Sequence, residues 1–182
     1  MAQFVSFDPA VKVIGQWILL FANAMDFGKE ERIEILEKHG LRNLDANQWY
    51  DLQKWLDAFK ELSEGIWAST LFIIGKEILG NAKFPPQIDS LEKALYSINV
   101  AYHMNHSEGD IGIYDVMLFD AVQRKAVILC RNPYPSDFDR GILAAIVERF
   151  KPADSVTTDV TLDLTKESRL NGADSCTYLI SW

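Results

Sequence analysis

The stretch NPYPSDFDRGILAAIVERF, residues 132–150, decides the reading of this chain. Pro133 and Pro135 lack backbone N–H groups and end any strand before them. Each also pushes its preceding residue, Asn132 or Tyr134, toward extended geometry. Ser136 with Asp139 three residues on matches a capping box, with the hydroxyl accepting from an orphan helix N–H and the carboxylate reaching back. Asp137 and Asp139 then read as a charged helix start that suits the positive end of the helix dipole. Phe138, Ile142, Ala145, Ile146 and Phe150 recur at helical spacing, and Pro152 stops the helix.

Working outward, strands flank this helix in pairs. Asp110 to Asp120 and Ala126 to Arg131 read as a hairpin turning at Gln123-Arg124. Val156 to Leu164 and Ser175 to Trp182 read as a second pair, with Val160, Leu162 and Leu164 alternating with polar residues. Everything earlier is mainly helical. Pro9 with Asp8 as cap predicts a helix marked by Ile14, Trp17, Ile18, Phe21 and Met25. Leu19, Leu20 and Ala22 make its other side apolar as well, which predicts burial or a homodimer interface. Ile33 and Leu36 mark the inward face of a short helix, ended by Gly40 with Leu41 folding back. Trp49 and Tyr50 read as a connector. Leu52, Trp55, Leu56, Phe59 and Leu62 give a strong helical period, and Trp67, Leu71, Ile74 and Ile78 give another. Asp89 or Ser90 opens a long helix carrying Leu91, Leu95, Ile98 and Tyr102.

The expected architecture is α+β: one domain over residues 1–182, helical through about 106, then a small antiparallel sheet with a central helix over 107–182. A small sheet cannot bury its apolar face alone, so the helices pack on it. The apolar content of 48% suits a globular chain. The net charge is −8, and both halves are acidic, so no basic patch supports binding to nucleic acid or an anionic membrane surface. Val13 to Met25 is shorter than the ~20 residues a membrane span needs. Two cysteines, Cys130 and Cys176, make no disulfide framework, and with no signal-peptide pattern they imply a reducing, cytoplasmic setting.

The second half resembles the ligand-binding superfamily of heme–nitric-oxide/oxygen-binding (H-NOX) domains, 4-vinyl-reductase-like domains and TRAPP subunits. Tyr134-Pro135-Ser136-Asp137-Phe138 is similar to the Tyr-x-Ser-x-Arg of H-NOX proteins, and Gly172-Ala173-Asp174-Ser175-Cys176 to the Gly-x-x-x-Cys ending of 4-vinyl-reductase-like domains. The resemblance implies the fold and a sensory, ligand-binding role in bacterial-type signalling. It does not carry heme across. The neighbourhood expected to supply the proximal imidazole is Lys93, Ala94, Leu95 and Tyr96. Phe138 stands at the propionate arginine, and Ser168 at the first cysteine of the 4-vinyl-reductase-like ending. No cofactor is therefore expected.

No nucleophile-and-base arrangement or phosphate loop is present, so no catalytic centre is expected. The expected ligand is a small apolar molecule between the central and long helices, lined by Leu95, Ile98, Tyr102, Tyr134, Phe138, Ile142 and Ile146. Tyr102 or Tyr134 would supply an orienting hydrogen bond. Such a sensor would pass its signal to a protein partner. Two alternatives stand beside it. One is an assembly protein of the TRAPP type. The other is a metal-dependent enzyme using His103 and His106, three apart at a helix end, with Asp110.

Overall fold

The computed structural model describes residues 3–23, 28–64, 70–80 and 82–182. The chain runs β1 (Lys12–Ile14), α1 (Gly15–Asn23), α2 (Lys29–Lys38), β2 (Trp49–Asp51), α3 (Leu52–Glu64), α4 (Leu71–Gly80) and α5 (Leu91–Asn105). Then follow β3 (His106–Ser107), β4 (Ile113–Asp120), β5 (Lys125–Arg131), α6 (Ser136–Phe150), β6 (Asp159–Leu162) and β7 (Ser175–Ser181). The fold is α+β, as the period change from helical to extended implies. Met25 and Trp67, two of the expected helix markers, lie outside the described residues.

The main sheet has the order β4-β5-β7-β6, antiparallel throughout. The two hairpins meet along β5 and β7, where Cys130 lies opposite Cys176. A bulge between Val116 and Leu118 shifts the register of the edge strand β4. One face of the sheet, with Ala126, Ile128, Cys130, Tyr178 and Ile180, is buried. Across that face lies α6, and α4 packs on α6 where Gly75 and Gly141 let the backbones meet. A Cβ on Gly75 would sit 2.3 Å from the Phe138 carbonyl oxygen, and one on Gly141 2.1 Å from that of Phe72.

A second sheet, β2-β1-β3, joins three short segments of the helical half. It corrects two expectations. The N-terminal segment is not helical from Pro9: Asp8 instead turns the chain, its Oδ1 accepting from Ala10 N–H, and the helix starts at Gly15 after a strand. Trp49 and Tyr50 are not a connector but β2, paired with Ile14 and Val13. Strands of two or three residues are too short to show alternation, so pairing in space creates them.

Most of the apolar girth of α1 goes into the core: Ile18, Phe21 and Ala22 are buried, while Leu20 is exposed. On α2 the expected inward pair splits, because Leu36 is buried and Ile33 is exposed. The Gly40 stop has the expected form, with φ 82° and Leu41 N–H donating to the Leu36 carbonyl. The helical half packs around an aromatic group in which Phe59 contacts Phe21, Trp55, Tyr134 and Phe138, all within 6.1 Å between ring centroids. No helix among the described residues is long and apolar enough to cross a membrane.

Candidate functional site

Two polar centres sit side by side at the start of α6. The first is a buried ion pair. Arg169 Nη2 donates to Asp139 Oδ2 at 2.6 Å, and neither side chain has any exposed surface. Asn132 Nδ2 donates to the same carboxylate oxygen at 3.0 Å, and the Tyr114 hydroxyl to Oδ1 at 2.5 Å. Arg169 also donates to the backbone oxygens of Asn132 and Tyr134, at 2.9 and 2.6 Å. The ion pair thereby pins the proline-flanked loop to the connection between β6 and β7, where Arg169 lies.

This corrects the capping-box reading. Ser136 is the first residue of α6, and its predecessor Pro135 offers no side-chain cap. The Ser136 hydroxyl lies 3.2 Å from Cys176 Sγ. Asp139 faces inward because it shares a helix face with Ile142 and Ile146, three and seven residues on. A carboxylate on that apolar stripe was the available signal for a buried partner. Nothing in the sequence singled out Arg169. Cys176 Sγ also accepts from Arg169 Nε at 3.3 Å. Burial raises this thiol, but the Arg169 guanidinium, with hydrogen bonds from Ser136 and Arg169, outweighs it and holds Cys176 below the ordinary thiol range.

The second centre is His106. As the extended residue after α5 it belongs to β3, where it pairs with Val13, and its ring turns inward. His106 Nδ1 lies 2.9 Å from the Tyr102 carbonyl, an orphan acceptor of the last helical turn. A carbonyl can only accept, so that nitrogen carries the proton. Nε2 then accepts from the Tyr134 hydroxyl at 2.7 Å. Burial is the main cause that lowers the His106 pKa to about 4, so the imidazole is neutral at pH 7. Burial likewise raises the hydroxyls of Tyr102, Tyr114 and Tyr134, which stay protonated.

Between α5 and α6 lies a cavity of about 70 Å³. Ile98, Tyr102, His106, Tyr114, Tyr134, Ile142 and Ile146 form its buried floor and walls, and Trp17, Leu79, Phe84, Ser97, Ala101 and Asn105 its partly exposed mouth. Five of the seven residues expected around a ligand line it: Ile98, Tyr102, Tyr134, Ile142 and Ile146. Leu95 and Phe138 are buried in the surrounding core and do not line it. Sequence reasoning missed His106 and Tyr114 as lining residues.

The proposed metal trio is not brought together. His103 Nδ1 faces the Asn99 carbonyl at 2.9 Å, His106 is spent as described, and Asp110 pairs with Arg131 at 2.7 Å. The described residues contain no group of three or more His, Cys, Asp or Glu able to hold a metal.

No family profile matches the sequence, and no curated protein matches it. Solved structures do. A triple mutant of an H-NOX protein from S. oneidensis in the Fe(II) ligation state superposes with a TM-score of 0.69 at 13% identity, covering 92% of this chain and 95% of that one. A point mutant of an Fe(II) unliganded H-NOX protein from K. algicida gives 0.66 at 16% identity, with 92% and 95% covered. The chain has the H-NOX fold. An Fe(II)CO H-NOX domain from Shewanella oneidensis gives 0.62 at 13%, with 93% and 97% covered. Another match is described by protein-induced porphyrin distortion that modulates heme redox potential.

These neighbours correct the expectation of no cofactor: the matched structures include H-NOX proteins in Fe(II) states and one concerned with heme redox potential. The residues as placed here do not fit heme. The buried imidazole has both nitrogens engaged, Nδ1 by the Tyr102 carbonyl and Nε2 by Tyr134. A space of about 70 Å³ is far smaller than a macrocycle needs.

Proposed function

We propose that this domain binds a small, mostly apolar molecule between α5 and α6 and acts as a sensory module without catalytic activity of its own. The observation that carries the reading is the cavity itself. It lies on the seam between two helices, its floor is isoleucine and tyrosine, and the polar atoms of that floor belong to a neutral histidine and protonated tyrosines. That arrangement offers shape and hydrogen bonds but no charged acid, base or nucleophile, which suits binding rather than turnover. Occupancy would reach the rest of the fold through Tyr102, which bonds the Ile111 carbonyl before β4, and through Tyr134 at the start of α6. A protein partner that reads this change, and self-association through α1, are parts of the same proposal.

Thermal denaturation tests it. Short hydrocarbons and alcohols that bind the folded state raise the melting temperature. Ile98→Trp or Ile142→Trp fills the space and removes that shift while the circular dichroism stays native. The reading is overturned if no such molecule shifts the wild type. It is replaced by a heme site if hemin gives a saturable Soret band that His106→Ala abolishes.

A further inference from the structure

The hydrogen bonds around the cavity have a common direction. The Ser97 hydroxyl donates to the Ala94 carbonyl at 2.7 Å, and Asn105 Nδ2 to the Ala101 carbonyl at 2.8 Å. The Tyr102 hydroxyl donates to the Ile111 carbonyl, and the Tyr114 hydroxyl to the Asp139 carboxylate. The Tyr102 carbonyl holds the His106 Nδ1 proton, which leaves Tyr134 as the donor to Nε2. Each of these lining groups has committed a proton to a protein acceptor. Two further lining donors, the second Asn105 N–H and the Trp17 indole N–H, belong to the partly exposed mouth rather than to the buried floor. What stays open on the buried floor is the lone pairs of the tyrosine hydroxyl oxygens, whose single protons are already committed.

We infer that the cavity selects neutral ligands bearing a hydrogen-bond donor, such as short alcohols or the hydroxyl head of a longer molecule, and disfavours ethers, carbonyls and carboxylates of the same size. This inference rests on the binding role proposed above. A donor placed against committed hydroxyls adds a hydrogen bond. An acceptor there meets only lone pairs, and both partners lose water without replacement. A carboxylate fares worse, since no cationic side chain lines the cavity to compensate its charge. The volume of about 70 Å³ holds roughly five to seven non-hydrogen atoms, at about 10–15 Å³ for each water-sized group.

The experiment uses two isomers, butan-1-ol and methyl propyl ether, which have the same atoms but differ in the single O–H. Their affinities are read from methyl shifts of Ile98, Ile142 and Ile146 on titration into the intact protein. The alcohol is expected to bind about fivefold or more tightly, the worth of one hydrogen bond. Ala101→Trp, which blocks the mouth from an exposed helix position, is expected to abolish both titrations. Equal or tighter binding of the ether overturns the donor preference and leaves the binding role standing. If neither isomer moves those methyl signals, the binding role fails, and this inference with it. The tautomer supplies an independent check: nitrogen spectra must show His106 Nδ1 protonated and Nε2 bare. The reverse would free the Tyr134 proton for an acceptor and also overturn the inference.

Discussion

Asp139 and Arg169 meet at 2.6 Å with no solvent on either side chain, although 30 residues separate them in sequence. Removing one partner strands a buried charge, which is far costlier than the net worth of the pair. Asp139→Asn is expected to destabilise the fold by about 3–5 kcal/mol, and Arg169→Met by a similar amount. In urea denaturation the double variant should lose clearly less than the sum of the singles. Additive losses would mean that the pair is not coupled as the geometry indicates.

His106 predicts a pH dependence with a definite sign. Its folded pKa of about 4 lies below the ordinary 6.5, so the unfolded chain takes up the proton first. The stability it confers is complete above pH 6.5 and is lost as the pH falls toward 4. The slope approaches about 1.4 kcal/mol per pH unit within that window, for a total on the order of 3 kcal/mol. The depressed carboxylates of Glu61, Asp89, Asp110 and Asp163 act mainly at lower pH, below about 4.5. His106→Gln should therefore flatten chemical denaturation profiles between pH 6.5 and 4.5. An unchanged slope in the variant would place the titrating group elsewhere.

The crossing of α4 and α6 depends on two missing side chains. A Cβ at Gly75 or Gly141 meets backbone carbonyl oxygens at 2.3 and 2.1 Å, and backbone cannot swing aside as a side-chain end can. Gly75→Ala and Gly141→Ala are each expected to cost about 1–3 kcal/mol despite alanine's better helix propensity. Thermal melts that show either variant as stable as the wild type would refute the close packing.

Tyr134→Phe leaves His106 Nε2 buried without a donor. The expected loss is about 1–3 kcal/mol. The same change frees a lone pair at the cavity floor, so binding of butan-1-ol should persist. A variant that is fully stable and no longer binds would assign Tyr134 to the ligand rather than to His106.

The sequence by itself determined the α+β class, the hairpin–helix–hairpin order and most of the apolar faces. Leu52, Trp55, Leu56, Phe59 and Leu62 are all buried, as are Leu91, Leu95, Ile98 and Tyr102. These are local properties: a period of 3.6 or 2, a proline's missing donor, a glycine at positive φ. Even the two helices and the tyrosines that enclose the cavity were legible, because their apolar stripes face each other. Tertiary structure alone decided what depends on partners far along the chain. It turned Asp139 from a charged helix start into the counter-ion of Arg169, and took His106 from a would-be metal ligand to the acceptor for Tyr134. It made strands of residues 12–14, 49–51 and 106–107, which are too short to show a period of two. It placed Phe138 and Leu95 in the solid core and Tyr114 on the cavity wall. A side chain's periodicity says which way it points, but hydrogen-bond direction and charge pairing belong to whichever atom folding sets opposite it, and sequence spacing carries no record of that.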